Sequence, residues 1–188
     1  PMLRTLGRIG ILTVLSLGLS GCLMVHTVKQ ELLYSPEYVS YVTQDGNLPV
    51  EISGNLLGNS TLAGDKLLAT IEIPLWIAKR KLTLVAPSDR GQGPRLVLVF
   101  NPASPLTNGD TLCANSNPEI AAPGERTTII AAFCHDNRNV TRATGEGDVQ
   151  SGLHDPRFIE LLNDLIEETL PIRNLDHDTT DCQASPCG

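Results

Sequence analysis

The chain has 188 residues, a formal net charge of −7, and is 41% hydrophobic but only 4% aromatic. That length is enough for one domain with a real core, and the aliphatic content excludes a wholly disordered chain. The acidic balance makes nucleic acid a poor partner and supplies no basic patch for holding an anionic lipid surface.

Arg4 and Arg8 give a positive start with no acidic residue beside them. Ile9 to Leu19 follows as one apolar run, far short of the roughly 20 residues a spanning helix needs. The small residues Ser20 and Gly21 come next, and then Cys22. A basic start, a short apolar run and small residues at a cleavage point are the anatomy of a secretory signal. The signal covers residues 1–21, with cleavage expected between Gly21 and Cys22. The run Leu19-Ser20-Gly21-Cys22 resembles the lipobox of bacterial lipoproteins at every position. The resemblance implies that Cys22 becomes the mature N-terminus. Its thiol would carry a diacylglycerol and its amine a further acyl chain such as palmitate. It implies a membrane partner, reached through the lipid on Cys22, and a place in the cell envelope. Leu23 stands where enteric-type lipoproteins retained at the inner membrane tend to carry aspartate, which favours the outer membrane, facing the periplasm. One acyl chain binds membranes marginally, whereas two or more anchor stably.

Loss of Arg4 and Arg8 with the signal leaves 12 Lys+Arg against 21 Asp+Glu, a formal charge of −9. The attachment is therefore expected to be lipid rather than charge. Four cysteines remain: Cys113, Cys134, Cys182 and Cys187. An even number in an oxidising compartment points to two disulfides, and local pairing favours Cys113–Cys134 with Cys182–Cys187. Zinc is disfavoured because the spacings are not the short paired ones that structural zinc sites use. No metal and no cofactor is expected.

Residues 22–36 read as a lipidated N-terminus and tether, with a short helix over Val25–Leu33 ended before Pro36. A single α+β domain is expected over 37–171. Val39–Thr43 has strand propensity, and Asp45-Gly46 is a turn signal, so a hairpin with Pro49–Ser53 is expected. Ser60 or Thr61 can cap a helix reaching about Thr70, weakened by Gly64. The segment Glu72–Lys79 resists assignment, but its apolar density suggests that it packs. Lys81–Ala86 alternates as a strand, and Pro87–Pro94 is a loop.

Arg95–Asn101 contains five apolar residues in a row, the mark of a central strand covered on both faces. Thr127–Cys134 is a second such strand, and the two are expected to pair. Val140–Thr144 adds a shorter edge strand. The connection Pro102–Arg126 is long for a structureless loop. A Cys113–Cys134 bond would staple it to the sheet, either as plain architecture or as a rigid partner-binding loop. Asp155 caps, and Pro156 opens, a helix with one apolar stripe through Phe158, Leu161, Leu162 and Leu165. Pro171 ends it, and 172–188 is a polar tail.

The expected fold is thus α+β, a mixed or mainly antiparallel sheet of about four to six strands with the helix over 155–170 packed on it. Catalytic signals are weak. His135-Asp136, His154-Asp155 and His177-Asp178 recur, but no nucleophile elbow, phosphate loop or zinc-protease motif accompanies them. His135 and His154 are the candidates that a hydrolase would use. The acidic cluster around Asp176 and Asp181 fits a solvated tail better than a calcium loop. The leading expectation is a non-enzymatic binding or scaffolding domain with a protein partner in the envelope. The alternatives are an anchored hydrolase acting on envelope polymers and a periplasmic solute-binding module.

Overall fold

The computed structural model describes residues 23–30, 34–54, 64–77, 81–104, 108–114, 117–122, 124–149 and 152–174. In chain order the elements are β1 (Leu23–Gln30), α1 (Pro36–Val42), β2 (Asn47–Gly54), α2 (Gly64–Leu68), β3 (Lys81–Leu84), β4 (Pro94–Phe100), α3 (Gly109–Ala114), β5 (Thr127–His135), β6 (Arg138–Gly147) and α4 (Pro156–Thr169). The fold is α+β. Six strands form one sheet in the order β1-β6-β5-β4-β2-β3. Pairing is antiparallel from β1 through β4 and parallel where β2 meets β4 and β3.

The two apolar runs lie side by side in the middle of the sheet. β4 is buried at every position after Pro94, and β5 at seven of its nine. Their side chains alternate between two covered faces, as strand geometry requires. Leu96, Leu98, Phe100, Ile129, Ala131 and Phe133 face the larger core, which α4 covers with Phe158, Leu161, Leu162, Leu165 and Ile166. Val97, Val99, Ile130, Ala132 and Cys134 face the smaller core, covered by Leu112, Cys113 and Ile120.

Helix α4 begins as its residues require. The Asp155 side chain accepts from the Arg157 N–H at 2.9 Å, and Pro156 occupies the first turn. It lies close on β6 because Gly145 has no side chain. A Cβ there would sit 3.1 Å from Leu161. At its far end the Thr141 hydroxyl donates to the Thr169 carbonyl, and the Trp76 indole donates to the Leu170 carbonyl at 3.0 Å.

Several expected elements take another form. Residues 23–30 are neither tether nor helix but the edge strand β1, in antiparallel register with β6. Leu23 to Gln30 thus belong to the sheet, although they precede the boundary at residue 37 that the sequence suggested. Pairing with β6 outweighs a weak local helical pattern, since strand formation is decided largely by neighbours. The same pairing makes β6 an interior strand of ten residues rather than a short edge. Val39–Thr43 is not a strand. Ser35 accepts from the Tyr38 N–H at 3.1 Å with Pro36 in the first turn, and this cap starts α1. Pro36 was expected to end a helix and instead opens one. Asp45-Gly46 then joins a helix to a strand, not two strands of a hairpin. Helix α2 is only five residues long, and the proposed caps Ser60 and Thr61 lie outside the described residues. The 102–126 connection contains α3. Residues 172–174 belong to the domain, for Asn174 is buried and its side chain donates to the Tyr34 carbonyl at 3.1 Å. The remaining tail, with Cys182, Cys187, His177, Asp176 and Asp181, lies outside the described residues.

Candidate functional site

Among the described residues, a gathering of hydrogen-bonded polar side chains lies where β4 begins and β5 turns into β6. Helix α3 is fastened there in three ways. A disulfide joins Cys113 to Cys134, with 5.6 Å between Cα atoms. The Asp110 carboxylate accepts from the Asn139 N–H at 2.8 Å. Gly109 allows the close approach, since a Cβ would lie 2.5 Å from the Asn139 side chain. Leu112 and Cys113 are buried, so this segment is a layer of the core and not a free loop.

The third fastening is Arg95, which is 1% exposed. Its Nε donates to Glu51 Oε2 at 2.8 Å, and Glu51 is 2% exposed. One terminal nitrogen donates to the carbonyls of Gly93 at 3.2 Å and Asp136 at 3.0 Å. The other donates to the carbonyl of Cys113. Glu51 also accepts from the Gly91 N–H at 3.2 Å. Two charges out of water are tolerated because each is paired and hydrogen-bonded. The fork of a single arginine thus ties β2, β4, the β5–β6 turn and the end of α3 together.

On the opposite face of this end sit Tyr38, His135 and Asp136. The Tyr38 hydroxyl is hydrogen-bonded to His135 Nδ1. His135 Nε2 faces the Asp136 carboxylate at 3.5 Å, with the two side chains 48% and 63% exposed. Asp136 is at φ 50°, a turn position that aspartate tolerates. Its carboxylate accepts from the Gly93 N–H at 2.7 Å. The Tyr38 ring meets Phe133 edge-on at 6.3 Å. Partial burial, and then the negative charge of Asp136, push the Tyr38 phenol above its ordinary range. Burial and the neighbouring carboxylate thus favour the protonated phenol. The trio presents hydrogen-bond donors and acceptors at the surface.

His154 is not part of this group. It is exposed in the turn before α4, at the end of that helix remote from Thr141, whereas His135 adjoins Arg138 at the other end of β6. The two histidines cannot serve one cleft. A separate shallow groove of about 290 Å³ lies between α2 and the edge strand β3, lined by Asp65, Leu68, Ala69, Ile71, Ile73 and Leu82. Among the described residues, no three His, Cys, Asp or Glu side chains are placed to hold a metal ion. No helix there is long and apolar enough to cross a membrane. Sequence reasoning reached His135 and Cys134 but missed Tyr38, Glu51 and Arg95. Ser35-Pro36 was the signal for Tyr38, because it places that residue in a capped first turn. The lone charges within the apolar β2 and β4 runs were the signal for the pair.

No protein-family model matches the chain, and no curated protein matches it. A solved structure, a PelC dodecamer from Paraburkholderia phytofirmans, aligns with 81% of this chain and 99% of its own at 12% identity and a TM-score of 0.34.

Proposed function

We propose that this chain is a bacterial envelope lipoprotein, anchored by lipid on Cys22 and carrying a non-enzymatic binding or scaffolding domain that faces the periplasm from the outer membrane. One observation carries the reading: Leu19-Ser20-Gly21-Cys22 ends a short apolar run preceded by Arg4 and Arg8. The buried Cys113–Cys134 bond agrees with an exported domain, since disulfides persist in oxidising compartments. Binding is favoured over hydrolysis by the separation of His135 and His154 at opposite ends of β6. The candidate recognition surface is the exposed β5–β6 turn with Tyr38, His135 and Asp136, and the partner is an envelope protein.

The segment 108–118 is unsuited to a deletion test, because removing Leu112 and Cys113 would bare the smaller core. The anchor is tested by Cys22→Ser. The variant is expected in the soluble periplasmic or uncleaved precursor fraction, with the wild type in outer-membrane vesicles. Equal recovery of both with mature outer membrane contradicts the reading.

A further inference from the structure

We infer that the end of the sheet bearing Leu23 lies directly against the bilayer, so that the β5–β6 turn with Tyr38, His135 and Asp136 points away from it. This rests on the lipoprotein reading above and adds an orientation to it. The observation is the place where β1 begins. Leu23 is already in register with Gly147, and Cys22 is its covalent neighbour. One peptide unit, about 3.8 Å between Cα atoms, therefore separates the acylated residue from the folded domain. A flexible spacer of n residues would give the domain roughly 5–6 Å × √n of freedom, and here the spacer is absent. Leu23 does not peel off freely, because it and Val25 pack against the main core.

Strand register defines which parts share that end. Gly147 of β6 is opposite both Leu23 and Thr127 of β5, and the last residue of β4, Phe100, is opposite Ile129. The segments after β4, before β5 and after β6 emerge there. Met24 is exposed, as are Ala121 and Ala122. The nearby charges are mixed, with Arg126 paired to Glu146 at 3.2 Å and Asp148 exposed. Such a surface does not seek an anionic membrane by itself, so the lipid imposes the contact. Helix α4 runs away from this end for 14 residues, about 20 Å at 1.5 Å per residue. Trp76 marks its far end through the hydrogen bond to Leu170.

Trp76 is the chain's single tryptophan, so fluorescence quenching reads the orientation. The acylated full-length protein is reconstituted in phosphatidylcholine vesicles containing a headgroup nitroxide quencher. Wild type reports Trp76, and Ala122→Trp with Trp76→Phe reports the proximal end. Where the Trp76→Phe protein does not fold, Ala122→Trp alone is compared with wild type. The expected result is quenching of the proximal reporter and none of Trp76. That quenching should disappear when about 12 Gly/Ser residues, spanning roughly 20 Å, are inserted between Cys22 and Leu23. Equal quenching of both reporters, or of neither, in protein that floats with the vesicles overturns the orientation while leaving the anchor intact. Protein without acyl mass on Cys22, which does not float, overturns the lipoprotein reading and the orientation together.

Discussion

Two phenols hold their protons more tightly in the folded domain than in an open chain. Tyr34 is 2% exposed and is shifted up by burial first and by Glu37 second, while its hydroxyl donates to the Pro171 carbonyl at 2.5 Å. Tyr38 is shifted up by partial burial and by Asp136. A folded-state value raised above the ordinary 10.0 means that the stabilising contribution is complete below that value. It is lost as pH rises through it toward the raised folded values, because the unfolded chain releases its protons first. The melting temperature is therefore expected to fall with pH above the ordinary phenol range. Tyr34→Phe combined with Tyr38→Phe should flatten that fall at the expense of a lower plateau. An equally steep alkaline fall in the double variant would show that other groups set it.

At the scale of elements, α3 is the piece whose attachment is most open to measurement. Its disulfide closes a loop of sequence separation 21, which on the chain-entropy model stabilises by about 3 kcal/mol. Replacing Cys113 and Cys134 together by alanine should lower unfolding stability by about that amount in a urea titration. The domain should still fold, since Arg95 and Asp110 continue to hold the helix. A loss near zero would mean that those polar bonds alone set the position of α3. The elements most legible in the sequence were those with a dense local signal. Leu96–Phe100 and Ile129–Cys134 read as buried strands because uninterrupted apolar runs suit a sheet covered on both faces. Helix α4 read correctly because its cap, proline and stripe agree. β1 and α1 were misread for the opposite reason. Val25 to Leu33 carries no strong local pattern, and only β6, more than a hundred residues away, makes part of it a strand. In α1 the strand propensity of Val39 and Val42 opposed a cap at Ser35, and the cap prevailed. Tyr38, His135 and Asp136 assemble across the tertiary fold, so no spacing in the chain announced them.

At the scale of the molecule, the sheet has two unlike ends. One begins at Leu23, next to Cys22. The other gathers the buried Glu51–Arg95 pair, the disulfide and the Tyr38–His135–Asp136 group within a small region. Under the proposed lipoprotein reading, this polar, exposed turn would lie at the end away from the lipid and face a periplasmic partner. The proposed anchor, orientation and recognition surface all depend on Cys22. The most direct measurement is the intact mass of the protein extracted from membranes, with its N-terminal peptide. The expected species is a chain beginning at Cys22 and bearing a diacylglycerol with or without a further acyl chain. An unmodified Cys22, whether the chain retains its first residues or is cleaved elsewhere, would contradict the lipoprotein reading.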